Sequence, residues 1–297
     1  MLAAAGRRSL RARMEEVMGE FPSRPRGPLD VQITKRSQTE SYEIRHINYL
    51  SEPGDRVPAI LLIPQRQNGR AALCLHQTTK VGKAEPAGLA GNPDLRYAAE
   101  LAERGFVSLS PDYPNFGEYT FDPYAHGYAS ATMKGLWNHS RAVDVLEATP
   151  GVSRRRIGCI GHSLGGHNTL FLAAFDHRIR AMVTSCGFTA FARYYGGDLK
   201  GWSHKGYMPR IAERYGARPD RMPFDFPELI ASLAPRPLFV NAPLRDANFD
   251  VEGVRECIAQ ANKRYRGDRL QARYPDAAHS FPSEVRSEAY GFLERWL

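Results

Sequence analysis

The sequence predicts an α/β protein whose mostly parallel central sheet is covered by helices on both faces. Two observations carry that expectation. Short, continuous apolar runs recur at residues 71–75, 106–110, 157–161, 181–185, 238–242 and 270–274. Stretches with helical spacing lie between them, near 93–104, 130–148, 165–175, 226–233, 250–266 and 283–296. A strand that is apolar on both sides and alternates with helices is the pattern of a parallel sheet buried on both faces. The 297-residue chain is 42% hydrophobic, enough for a sizeable core, and no run approaches the ~18 apolar residues of a membrane-spanning helix.

Before this alternation come two other textures. Residues 1–26 read as a helical extension, with Leu10, Met14, Val17 and Met18 near one face. They lack the apolar stretch of a secretory signal, so a cytoplasmic location is expected, with secretion of a trimmed precursor left open. Residues 31–35, 42–49 and 57–63 then read as strands, rich in β-branched and aromatic residues and punctuated by Pro53-Gly54-Asp55. One later segment breaks the alternation. Residues 187–225 contain Phe188, Phe191, Tyr194, Tyr195, Trp202 and Tyr207, too aromatic for a disordered loop, and are expected to form a cap. The expected organisation is therefore one domain over 27–297, with the extension before it and the cap inserted at about 187–225.

The net charge of +8 invites a search for a polyanionic partner. The first 26 residues carry six Arg against three Glu, and the remaining basic residues are scattered, the longest run being Arg154-Arg155-Arg156. Neither a basic tail nor a nucleic-acid-binding motif appears, so a nucleic-acid or membrane partner is not expected. Cys74, Cys159, Cys186 and Cys257 are widely spaced and show no metal-ligand pattern. They read as buried apolar residues, and neither a metal nor an organic cofactor is expected.

The chemistry concentrates at Gly161-His162-Ser163-Leu164-Gly165-Gly166, between an apolar strand and a helix. A Gly-x-Ser-x-Gly in that context is a nucleophile elbow. The serine sits in a strained turn, and side chains two residues before and after it would collide. The helix N-terminus behind Ser163 favours a developing anion. His279, in the loop after the last strand, is positioned to take the serine proton. Asp246, in the loop after the preceding strand, is favoured to orient the imidazole. Asp250 is the alternative, though it reads as a helix N-cap, and Asp276 is a weaker one. The chain order serine, aspartate, histidine is the order expected for such a site.

Together with Ser110-Pro111-Asp112-Tyr113, Phe116-Gly117-Glu118, Ala234-Pro235-Arg236-Pro237 and His279-Ser280-Phe281, these residues give a chain that resembles the α/β-hydrolase superfamily. The likeness is to its dienelactone-hydrolase-like and acetyl-xylan-esterase-like branch, near the prolyl-oligopeptidase catalytic domain, over residues 40–297. The resemblance implies an oxyanion hole built from the Leu164 N–H and a second N–H after the strand at 71–75. Relatives carry His-Gly-Gly or His-Gly-X there, whereas this chain has His76-Gln77-Thr78-Thr79. Thr78 is the donor expected by position, and the Gln77 side chain is expected to face the pocket.

The expected activity is that of a serine hydrolase cleaving carboxylic esters through an acyl-enzyme, on small acyl or acetylated-sugar substrates. A peptidase or amidase of prolyl-oligopeptidase type is one alternative, and a non-catalytic binding protein on the same fold is another. The expected partner is a small-molecule ester, with homo-oligomerisation left open. Trp202 and Tyr207 are the cap residues expected to meet substrate, and Arg193, Lys200 and Arg210 are open either to an anionic substrate or to water.

Overall fold

The structure, a computed structural model, describes residues 8–297. Residues 1–7 of the expected extension lie outside the described residues. Among the described residues nine strands form one sheet: β1 (Gln32–Gln38), β2 (Tyr42–Glu52), β3 (Asp55–Pro64), β4 (Ala71–Leu75), β5 (Val107–Pro111), β6 (Ile157–His162), β7 (Ala181–Ser185), β8 (Leu238–Asn241) and β9 (Leu270–Arg273). Their spatial order is β1-β2-β3-β5-β4-β6-β7-β8-β9. The pairs β1–β2, β2–β3 and β3–β5 are antiparallel. From β5 through β4 to β9 every pair is parallel. The two textures read from the sequence thus become the two halves of one sheet.

Eight α-helices accompany it among the described residues: α1 (Leu10–Met18), α2 (Tyr97–Glu103), α3 (Ala131–Ala148), α4 (Leu164–Phe175), α5 (Arg210–Tyr215), α6 (Phe226–Leu233), α7 (Val251–Ala261) and α8 (Ser283–Trp296). Strand β4 shows why its apolar run is unbroken. Ala71, Leu73 and Leu75 enter the core beneath α3 and α4, while Ala72 and Cys74 enter the opposite core beneath α2 and α8. With alternate side chains buried on both faces, no position is left for a polar residue. Among the described residues, no helix is long and apolar enough to cross a membrane.

Helix α1 joins the core instead of projecting from it. Met14, Val17 and Met18 are fully buried, each worth about 1.5–3 kcal/mol of transfer free energy. The Arg13 guanidinium grips Glu228 of α6 through two bonds of 2.7 and 2.6 Å, and α1 also touches α5. Residues 187–225 fold into short 3-10 turns and α5, and Gly216 ends that helix in the left-handed region at φ 64°. Phe191 and Trp202 pack inward: Trp202 lies 5.7 Å from Phe226 and 6.0 Å from Phe191, ring centre to ring centre. Tyr194, Tyr195, Trp202 and Tyr207 of the segment share a cavity wall with Ser163, which follows β6, with Asn248 and Phe249, which follow β8, and with His279, which follows β9, at the edge where ligands bind in open α/β sheets.

Candidate active site

Ser163 occupies the turn between β6 and α4 with φ 53° and ψ −115°, a conformation that L-residues rarely adopt. The turn is held by the Ser163 N–H, which donates to the Ser185 carbonyl on β7 at 2.8 Å. Its neighbours have no room for side chains. A Cβ on Gly161 would overlap the Gly165 backbone, and one on Gly165 would overlap the Leu75 carbonyl of β4. The serine is therefore presented at the head of α4, where unpaired N–H groups favour negative charge.

His279 and Asp246 arrive from the loops that follow β9 and β8. The His279 Nδ1 lies 2.9 Å from each oxygen of Asp246. The Asp246 side chain is only 1% exposed, and its carboxylate also accepts from the N–H groups of Asn248 at 2.8 Å and Phe249 at 3.2 Å. Burial acts to raise this carboxyl's pKa. The His279 hydrogen bond and charge, with the two backbone donors, outweigh burial and hold it below the ordinary carboxylate range. With Nδ1 committed to Asp246, the Nε2 of His279 is the nitrogen left for proton transfer. Asp250 caps α7 by accepting from the Gly253 N–H at 2.9 Å, and Asp276 pairs with Arg245 at the surface. Of the three aspartates weighed from the sequence, the structure brings only Asp246 to His279.

Ser163, Leu164 and His279 line a cavity of about 270 Å³, and so do Gln77, Thr78, Trp202 and Tyr207. Tyr207 reaches the expected oxyanion loop through its hydroxyl, 2.6 Å from the Thr78 Oγ1. Gln77 also donates from Nε2 to Glu85 at 3.2 Å. Tyr194, Tyr195, His167, Asn248 and Phe249 complete most of the wall. Asn248 and Phe249 are positioned by the turn that Asp246 itself caps, a link not visible along the sequence. His167 carries a sequence signal that is plain only afterwards: it lies four residues after Ser163, one turn along α4 on the same face.

Among the described residues, the cavity wall contains no Lys, Arg, Asp or Glu. Arg193 pairs with Glu256 at the surface, Lys200 is exposed, and Arg210 donates to the Glu16 carbonyl of α1. None of the three basic residues left open to an anionic substrate lines the cavity. Burial pushes the pKa of His167 and of His162 down to about 3, so both imidazoles are uncharged. Both ring nitrogens of His167 and the Trp202 Nε1 are buried without a protein partner.

One cluster offers a metal-like geometry: Cys186, Asp246 and His279 bring ligand atoms within 4.8 Å of one another. Burial, and then the adjacent Asp246 charge, push the Cys186 thiol well above its ordinary pKa, and a protonated thiol is a poor ligand.

Comparisons with known proteins agree with this architecture. Residues 115–267, just over half of the chain, match the family described as "Glucuronyl esterase, fungi". YtaP of Bacillus subtilis (strain 168), whose name says hydrolase and no more, is 22% identical over 97% of this chain and 98% of its own length. The 4-O-methyl-glucuronoyl methylesterase of Hypocrea jecorina (strain QM6a) is 26% identical over 60% of this chain, which spans 43% of that longer protein. Among solved structures, a glucuronoyl esterase from Solibacter usitatus superposes with a TM-score of 0.72 at 18% identity, covering 95% of this chain and 90% of that one. At that identity the superposition speaks for the fold alone. On the strength of the match over residues 115–267, the chain belongs to the glucuronyl esterase family.

Proposed function

We propose that this ester hydrolase works through a serine nucleophile and an acyl-enzyme, and that its substrates are uncharged esters of sugars or sugar acids. The observation that carries the reading is His279, held 2.9 Å from Asp246 and standing in the same cavity wall as Ser163 on its strained elbow. Ser163 Oγ attacks the ester carbonyl while His279 Nε2 takes its proton. Asp246 holds the ring orientation and stabilises the imidazolium. The oxyanion that forms is met by the Leu164 and Thr78 N–H groups, neither of which has an acceptor among the described residues. The imidazolium returns the proton to the departing alcohol. Water, deprotonated by the same Nε2, then releases the acid.

The substrate class follows from the cavity wall. An aromatic wall without Lys, Arg, Asp or Glu suits an uncharged ligand, and a glucuronate is uncharged once esterified. The 4-O-methyl-glucuronoyl methylesterase supports testing a methyl ester of glucuronate first. The catalytic unit is residues 27–297, with 187–225 as its cap and the N-terminal segment bracing that cap. Four buried thiols without disulfide partners suit a reducing compartment, in line with a cytoplasmic site of action.

The test is Ser163→Ala, assayed on p-nitrophenyl acetate, an acetylated xyloside and methyl glucuronate. Turnover should fall by at least about 10³-fold on every ester the wild type cleaves. Wild-type-like turnover in the variant would sink the serine mechanism. Equal wild-type rates on sugar and simple acyl esters would sink the substrate reading.

A further inference from the structure

We propose that His76 is a positioning residue that aims the Thr78 N–H into the cavity, and that Tyr113 couples this setting to the cap. The proposal rests on the reading of Thr78 as an oxyanion donor. It answers a question raised by the sequence: how a His-Gln-Thr-Thr loop, lacking the glycine seen in relatives, adopts the required backbone.

His76 is the first residue after β4 and is 3% exposed. Its Nε2 lies 3.0 Å from the Tyr113 backbone nitrogen. A backbone N–H can only donate, so Nε2 is the acceptor and the neutral ring carries its proton on Nδ1. That Nδ1 lies 2.6 Å from the Gln77 carbonyl oxygen, which can only accept. The partners therefore determine the tautomer, and Nδ1–H holds the Gln77 carbonyl. The remaining step is peptide geometry. The Gln77 C=O and the Thr78 N–H belong to one planar trans peptide and point in opposite directions. Drawing the carbonyl toward the buried imidazole turns the N–H the other way. Thr78 stands in the same cavity wall as Ser163 and Leu164, and its N–H has no acceptor among the described residues. Burial keeps the His76 pKa below the ordinary imidazole value, which preserves the neutral tautomer.

The same loop is held from above. The Thr78 Oγ1 and the Tyr207 hydroxyl are 2.6 Å apart. The preceding residue, Gly206, accepts from the Tyr113 hydroxyl at 3.0 Å. Tyr113 thus binds His76 through its backbone and the cap through its side chain. The circuit His76–Gln77–Thr78–Tyr207–Gly206–Tyr113 closes on itself, so displacement of the cap is transmitted to the oxyanion loop.

His76→Phe keeps the ring's volume and removes both hydrogen bonds. Its kcat should fall about tenfold or more, toward the ~10²–10³-fold loss caused by deleting an oxyanion donor, with KM changed less than about threefold. The inhibition constant of an alkylboronic acid, which adds to the serine as a tetrahedral anion, should rise by the same factor. His76→Asn places an amide donor near the Nδ1 position and should keep activity within about threefold of wild type. His76→Gln reaches toward the Nε2 position and should not. If His76→Phe fails to fold, the Asn and Gln pair alone decides, and equal rates overturn the proposal. So does a wild-type kcat in folded His76→Phe, or a loss of kcat without weaker boronate binding. Ser163→Ala in parallel separates the two readings. If it is active, the serine mechanism fails. If it is inactive while His76→Phe is unaffected, only the role of His76 fails.

Discussion

Asp246 and Asp250 lie four residues apart in the stretch that joins β8 to α7, and both carboxylates accept backbone N–H groups. Asp246 adds the His279 imidazole to its partners, whereas Asp250 accepts from Gly253 at the head of α7. This difference separates two effects of mutation. Asp246→Asn keeps the shape but presents a donor to Nδ1, favouring the wrong imidazole tautomer. It should lower kcat on the order of 10⁴-fold while leaving the fold intact. Asp250→Ala removes a helix cap and should cost about 1 kcal/mol of stability with kcat nearly unchanged. Steady-state kinetics and urea denaturation of the two variants check both outcomes. A large loss of kcat in Asp250→Ala would reassign the triad acid.

Helix α6 shows how an element that supports the cap carries its own pH dependence. Its N-cap, Asp225, accepts from the Phe226 N–H at 2.6 Å and from the Phe191 N–H of the cap at 3.2 Å, linking helix and cap through one carboxylate. Burial raises its pKa to about 6 despite those donors. A carboxyl raised on folding holds its proton more tightly in the native state, so its contribution to stability is greatest below about pH 4. That contribution diminishes as pH rises through about 6. Asp225→Asn can still cap and carries no charge. Relative to wild type it should gain ~2 kcal/mol between about pH 4 and pH 7. Chemical denaturation of both proteins at the two pH values measures the gain, and a constant difference between them would contradict the assignment.

At the scale of the whole molecule several basic residues serve the internal architecture. Arg13, Arg24 and Arg26 of the N-terminal segment pair with Glu228, Glu52 and Asp144, and the fully buried Lys134 ammonium meets Glu52 and Asp55. None of these charges lines the cavity that holds Ser163 and His279. Electrostatic steering should therefore matter little, and kcat/KM on a neutral ester should change less than about twofold between about 20 and 300 mM salt. A steep decline measured over that range would show that surface charge guides the substrate.

The order and kinds of the elements, the elbow and the residues proposed as a triad were legible in the chain because each leaves a local mark. Apolar runs without polar interruption indicate strands buried on both faces, and Gly161 and Gly165 mark the tight turn around Ser163. The assignment of the aspartate needed the fold, since Asp246, Asp250 and Asp276 are equivalent by composition and only loop geometry brings one carboxylate to His279. The cavity wall was likewise decided by tertiary packing. His167, Asn248 and Phe249 meet the cap aromatics across breaks in sequence, and Arg193, Lys200 and Arg210 turn away because a charge in that apolar interior would lose its hydration. The sequence by itself determined which groups can do chemistry. Only the tertiary structure decided which of them share a cavity and which way their hydrogen bonds run, because distance and direction between remote residues are set by packing and not by spacing along the chain.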